Sequence, residues 1–183
     1  MKTSILGWLS RLARDKRGVS AVEFALLAPV MIGLYLGTVE ISDGVSADRK
    51  VSLIAAALAN LSAQVTTISS TDMTNILDAS SAIITPYKAS LLKMTVSCIA
   101  INASKVATVK WSATRGGAAN SGTITIPSAL AVANSYLILA EASYDYTPTV
   151  CYTITGTLTL KDKMYMSPRI TPPSYPDSTK PCT

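Results

Sequence analysis

The chain has 183 residues, room for one folded domain and a short anchor, and a formal charge of +5. Residues 1–18 hold Lys2, Arg11, Arg14, Lys16 and Arg17 against Asp15, and the remainder is nearly neutral, with 11 Lys and Arg against 10 Asp and Glu. The basicity therefore belongs to a leader and not to a nucleic-acid-binding face, and the absence of histidine removes the commonest general base and transition-metal ligand.

The leader ends in the cluster Arg14-Asp15-Lys16-Arg17. Ahead of it, Ile5, Leu6, Trp8, Leu9 and Leu12 are apolar over a stretch too short to span a bilayer; they suit the inner leaflet, with Trp8 at the interface. From Phe24 to Val39 there is no charged residue, and the run back to Val19 is broken only by Glu23. A hydrocarbon core of about 30 Å needs about 20 such residues at about 1.5 Å each. The predicted organisation is a basic cytoplasmic leader (1–18), a transmembrane anchor helix (19–41), an exported head (42–167) and a proline-rich tail (168–183). The basic cluster before the apolar run keeps the leader cytoplasmic by the positive-inside rule. Two readings compete: a buried core helix, and an ordinary signal peptide cut after Ala47.

Arg17-Gly18-Val19-Ser20-Ala21-Val22-Glu23-Phe24 resembles a type IV prepilin signal. In that family a membrane aspartyl peptidase cuts after the glycine on the cytoplasmic side, which marks Gly18 and Val19 as the cleavage site. With Val19 as the first mature residue, Glu23 is the fifth, where the family carries its glutamate, and Phe24 the sixth. A glycine before the cut leaves the backbone unhindered in a protease cleft. A carboxylate in an apolar helix is unfavourable unless paired, and the new amine at Val19 is the expected partner, on a neighbouring subunit. Pro29 falls within the apolar run, as pilin anchors often show, and Gly33 and Gly37 form a GxxxG spacing that permits close helix approach.

Beyond the anchor, Val51, Ile54, Ala55, Leu58 and Leu61 recur at three- and four-residue steps, which predicts an amphipathic helix over 46–65. It either continues the anchor helix or restarts after a break near Asp43-Gly44. A second helix starts near Ser69-Ser70-Thr71-Asp72, with Ser70 or Thr71 as cap, and ends at Pro86. Four strand-like runs follow: Met94–Ile101, Val106–Trp111, Tyr136–Tyr146 and Leu158–Met166. The first two, joined by the turn-like residues Asn102 to Lys105, read as a hairpin. The predicted fold is α+β: a long N-terminal helix extended into a head in which a second helix packs on a three- or four-stranded antiparallel meander, with the proline-rich end as an extended surface segment. Cys98, Cys151 and Cys182 lack metal-site spacing, and in an exported head two of the three form one disulfide, with the pairing open. Asp43, Asp48, Asp72 and Asp78 are scattered, and no metal or cofactor is assigned. Tyr144, Asp145 and Tyr146 read as strand packing rather than catalysis, so no enzyme activity is expected.

Over most of its length the chain resembles TadE-like proteins of the Tad (tight adherence, Flp or type IVc) pilus system. The residues that carry the resemblance are RDKRGVSAVEFALLAPVM at 14–31, STDMTNILDASSAIITPY at 70–87, VKWS at 109–112, SYDYTP at 143–148 and TLKDKMYMSPR at 159–169. The resemblance implies a minor pilin or pseudopilin with a pilin-like fold. It implies processing by a prepilin peptidase after Gly18, with Gly18, Glu23 and Phe24 as functional positions. It also implies an inner-membrane location with a periplasmic head, possible incorporation into a surface pilus, and other pilins and inner-membrane assembly components as partners. The alternative is an unprocessed bitopic inner-membrane protein whose periplasmic domain binds a partner.

Overall fold

A computed structural model describes residues 18–148, 156–176 and Cys182; the leader residues 1–17, Cys151 and most of the last seven residues lie outside the described residues. The chain divides into two compact units between Ile41 and Ser42, and each is taken by itself.

Helix α1 runs from Val19 to Ala63 without interruption, so there is no break at Asp43-Gly44. In the second unit its buried side chains are Ala47, Val51, Ile54, Ala55, Leu58, Ala59, Ser62 and Ala63, at the spacing of one helix face. That face drifts around the helix toward its C-terminal end, and Leu61, expected on the stripe, lies at its rim and is 36% exposed. Ala47 is fully buried inside this helix. A signal-peptidase cut after it would fall within a core element, which weighs against that competing reading.

Helix α2 spans Ser70–Ser81. Its N-cap is Ser69, one or two residues earlier than the sequence suggested. The Ser69 hydroxyl accepts from the Asp72 N–H at 3.0 Å, and the Asp72 carboxylate accepts from the Ser69 N–H at 3.2 Å. Two otherwise orphaned N–H groups are thereby satisfied; the Ser69 hydroxyl also donates to the Asp72 carboxylate at 2.7 Å, and that bond, followed by the one from the Ser69 N–H, lowers the Asp72 pKa from its ordinary value. A 3₁₀ turn, Ala82–Ile84, follows. The Lys50 ammonium donates to the carbonyls of Ile83 and Thr85 at 3.1 and 2.7 Å, tying the exit of this turn to α1.

The sheet is antiparallel with five strands: β1 (Leu92–Ile101), β2 (Ala107–Arg115), β3 (Thr123–Ile124), β4 (Ser135–Tyr146) and β5 (Leu158–Met166). Four are the strands expected; β3 is a two-residue edge strand with no periodicity to reveal it. The order is β3-β2-β1-β4-β5, so the expected meander is corrected. β4 pairs along all of β1, from Leu92 opposite Tyr144 to Ile101 opposite Ser135, and not with β2. The connection from Gly116 to Asn134 makes this possible by crossing the outer face of the sheet. There Ile124, Ile126 and Leu130 pack on a small core of Ile99, Ile101, Ala107, Leu137 and Leu139.

The inner face carries Leu92, Met94, Val96 and Cys98 from β1, Trp111 and Ala113 from β2, and Ile138, Ala140 and Ala142 from β4. They form one core with α1 and with Met73 and Leu77 of α2. A bulge lets β2 serve both cores. Cys98 lies opposite Trp111 while Ile99 lies opposite Val109, so Lys110 is the extra residue and the alternation of β2 changes phase there. This is the α+β, pilin-like arrangement expected, with the second half of the long helix packed on a curled antiparallel sheet.

The tail departs from the expectation of a surface segment. Its Ser174 bridges Thr67 in parallel, Pro173 is fully buried, and Cys182 is buried in a disulfide with Cys98. Prolines lack N–H donors and so suit a segment bound by its carbonyls and rings.

Candidate processing and assembly segment

In the first unit, the helix begins one residue after Gly18. Among the described residues, a Cβ built on Gly18 would meet nothing within 4 Å, and the same is true of Gly33 and Gly37. Packing inside the chain therefore does not require glycine at any of the three.

The helix surface that follows is apolar on every side. Val22, Phe24, Leu26, Leu27, Val30, Met31, Ile32, Leu34 and Tyr35 are all at least 58% exposed and, at 100° per residue, are spread around the whole axis. The most apolar 18-residue window has no buried residue, and the helix is long and apolar enough to cross a membrane. In water such exposure is unfavourable by about 25 cal/mol per Å², whereas in lipid it is the stable arrangement. Thr38 fits the same environment, because its hydroxyl donates back to the Leu34 carbonyl at 2.8 Å and leaves no unmet donor. Pro29 lies inside the helix and leaves the Ala25 carbonyl without its usual donor.

Glu23 is exposed, in the second turn of the helix. Among the described residues no hydrogen bond or ion pair engages it. The structure thus places Gly18, Val19, Glu23 and Phe24 together on the first two turns of one exposed helix.

The remaining candidate residues have structural roles in the second unit. Cys98 and Cys182 are joined, with Cα atoms 6.0 Å apart. Tyr144 and Tyr146 are buried and point to the helix side, where their rings lie 6.1 and 6.3 Å from that of Tyr87. Burial raises the pKa values of both Tyr144 and Tyr87. Asp145 points the other way and pairs with Lys93 at 2.8 Å, also accepting from Thr159 at 2.9 Å. The polar layer on the outer face has no signal in the sequence. Asn120 donates to Ser97 Oγ at 3.1 Å and to Glu141, and Lys163 pairs with Glu141 at 2.7 Å. Among the described residues, no three His, Cys, Asp or Glu side chains gather into a metal-binding group.

Compared with known proteins, residues 18–59 match the family model described as TadE-like protein. No curated protein and no solved structure matches the chain. The matched stretch begins at the glycine before α1 and ends within the half of that helix buried against the sheet. The similarity to TadE-like proteins thus lies in the long N-terminal helix.

Proposed function

We propose that the chain is a minor pilin or pseudopilin of a Tad (Flp, type IVc) pilus, cut after Gly18 by a prepilin peptidase. In this reading the N-terminus is cytoplasmic, the anchor lies in the inner membrane and the head is periplasmic. The observation that carries it is Glu23: a carboxylate with no partner among the described residues, five positions after Gly18, on a helix otherwise apolar all round and inside the TadE-like stretch. A charge at the centre of a membrane helix costs about 3 kcal/mol on insertion scales, so its partner is expected to come from outside the chain. Cleavage creates a cationic amine at Val19, and the amine of one subunit pairs with Glu23 of its neighbour. Lateral packing of the apolar helices does the rest, and the partners are other pilins and inner-membrane assembly components. The Cys98–Cys182 disulfide supports a periplasmic head, since such bonds persist in oxidising compartments.

N-terminal sequencing and intact mass of the membrane-associated protein test the reading. A start at Val19 is expected. An intact Met1 would replace it with the unprocessed bitopic protein, and a start beyond Ala47 with a domain released by signal peptidase.

A further inference from the structure

The inner face of the sheet outruns its cover. The row at Cys98 and Trp111 is closed: Cys98 is fully buried, and the Trp111 indole donates to the Pro173 carbonyl at 2.8 Å. The next row along the strands sets Tyr136, Ala100 and Thr108 side by side on β4, β1 and β2, and all three are partly exposed. Ala100 is the small member, so the row is notched in its middle. The bulge residue Lys110 lines the same notch, as bulges often re-aim a side chain. Asn102 and Asn134 border its end, and together these residues line an open cavity of about 320 Å³.

The polar groups of this cavity are uncommitted. Among the described residues, no hydrogen bond or ion pair engages the side chains of Thr108, Lys110, Asn134 or Tyr136. Asn102 spends its carbonyl oxygen on the Val106 N–H at 2.8 Å and keeps both amide donors. The described lining contains no Asp or Glu, so the Lys110 ammonium is a cation without a counter-charge.

From this geometry we propose that the cavity is a saccharide site for the uronate class, a pyranose ring that carries a carboxylate. A pyranose presents an apolar C–H face and a rim of hydroxyls that both donate and accept. The Tyr136 ring supplies a flat wall for the face, while amides and hydroxyls on the other sides answer the rim in both senses. Lys110 adds a charge-assisted bond, which selects a ring bearing a carboxylate over its neutral counterpart. A phosphate site would call for converging cations or successive backbone N–H groups, and this cavity offers one ammonium. An apolar side chain would leave the five polar groups unpaired. The site belongs to the head alone and makes no use of the pilin assignment.

The test uses the purified full chain in a detergent without a sugar headgroup, with trigalacturonate as the probe and saturation-transfer NMR as the readout. Saturable binding is expected with a Kd of about 1 mM or tighter, ordinary for one ring in an open site. No saturation up to about 10 mM would overturn the proposal. Tyr136→Leu keeps an apolar group against the core but removes the ring, and should weaken binding about tenfold or more. Lys110→Gln should weaken trigalacturonate about tenfold and leave the smaller signal of neutral galactotriose as it was. Undiminished trigalacturonate binding in either variant would place the sugar elsewhere, and an equal loss for both sugars would remove the carboxylate preference; each overturns the assignment. Triglutamate carries the same side-chain charge without a ring and should bind at least about tenfold more weakly. Equal binding would reduce the site to general charge attraction, which also overturns it. If Tyr136→Leu does not fold, the exposed Lys110→Gln and the triglutamate comparison still decide. A mature start other than Val19 would sink the proposed function and leave these affinities unchanged.

Discussion

The Tyr87 hydroxyl donates to the backbone carbonyl of Asp43 at 2.9 Å. The two residues are joined across the junction between the start of the head and the segment that follows α2. Burial, followed by the charge of Asp43, raises the Tyr87 pKa, so the hydroxyl stays a donor throughout the neutral range. Tyr87→Phe keeps the ring packing against Tyr144 and Tyr146 and deletes this bond alone. The expected loss is about 1 kcal/mol, read as a lower urea midpoint with unchanged slope.

The two halves of α1 should respond oppositely to the same substitution. Leu58→Ala leaves a hole in the core beneath the sheet and should destabilise the head by about 2–5 kcal/mol. Leu34→Ala, at a position 68% exposed, should leave head stability within about 0.5 kcal/mol. Urea unfolding followed by Trp111 fluorescence checks both. A comparable loss for Leu34→Ala would mean that the apolar half packs on the head.

Acid should loosen the outer face of the sheet. Burial alone would raise the Glu141 pKa, but hydrogen bonds from Asn120 and Lys163, together with the Lys163 charge, outweigh it and lower the value below 4.5. A carboxyl lowered by folding contributes stability that is present above its unfolded pKa and is lost as pH falls through the folded one. Half of the pair is well exposed, so Glu141→Gln should cost only about 0.5–1 kcal/mol at pH 7. That difference should shrink toward zero as pH drops below the lowered value, in urea titrations of both proteins run side by side. A difference independent of pH would remove the carboxylate from the account.

If the chain is processed as proposed, Gly18→Trp should leave the leader attached: nothing in the described chain opposes a side chain there, so the demand for glycine would come from the protease alone. Normal processing of that variant, seen by mass, would refute the cleavage site. Glu23→Ala should still be cut after Gly18 but assemble poorly. Wild-type piliation in a strain carrying it would end the pairing mechanism.

Local patterns carried the legible part of the fold. The apolar run, the stripe from Val51 to Leu58, and β5 from Leu158 to Met166 depend on neighbours in sequence, and all appear where periodicity put them. The proposed processing motif is equally local, a fixed spacing from Gly18 to Glu23. What the sequence left open is decided by residues far apart. The place of β4 beside β1 depends on a connection folded over the outer face, and the pairing of Cys98 with Cys182 joins residues 84 positions apart. The phase change at Lys110 reads as ordinary alternation until its partner strand is known. Ser70 and Thr71 offer the same hydroxyl as Ser69, and only the reciprocal bonds with Asp72 single out Ser69 as the cap.

Helix α1 has no stop signal of its own. No basic side chain sits in its last turn, and Gln64-Val65-Thr66 supplies neither the glycine nor the asparagine that commonly ends a helix. The Ala63 carbonyl is met instead by Arg169, from the far end of the chain. The last carbonyl of the first element is thus met by a residue beyond the last strand, and ribosomes release α1 before Arg169 exists. Truncations that remove Arg169 take that donor away from the end of the helix.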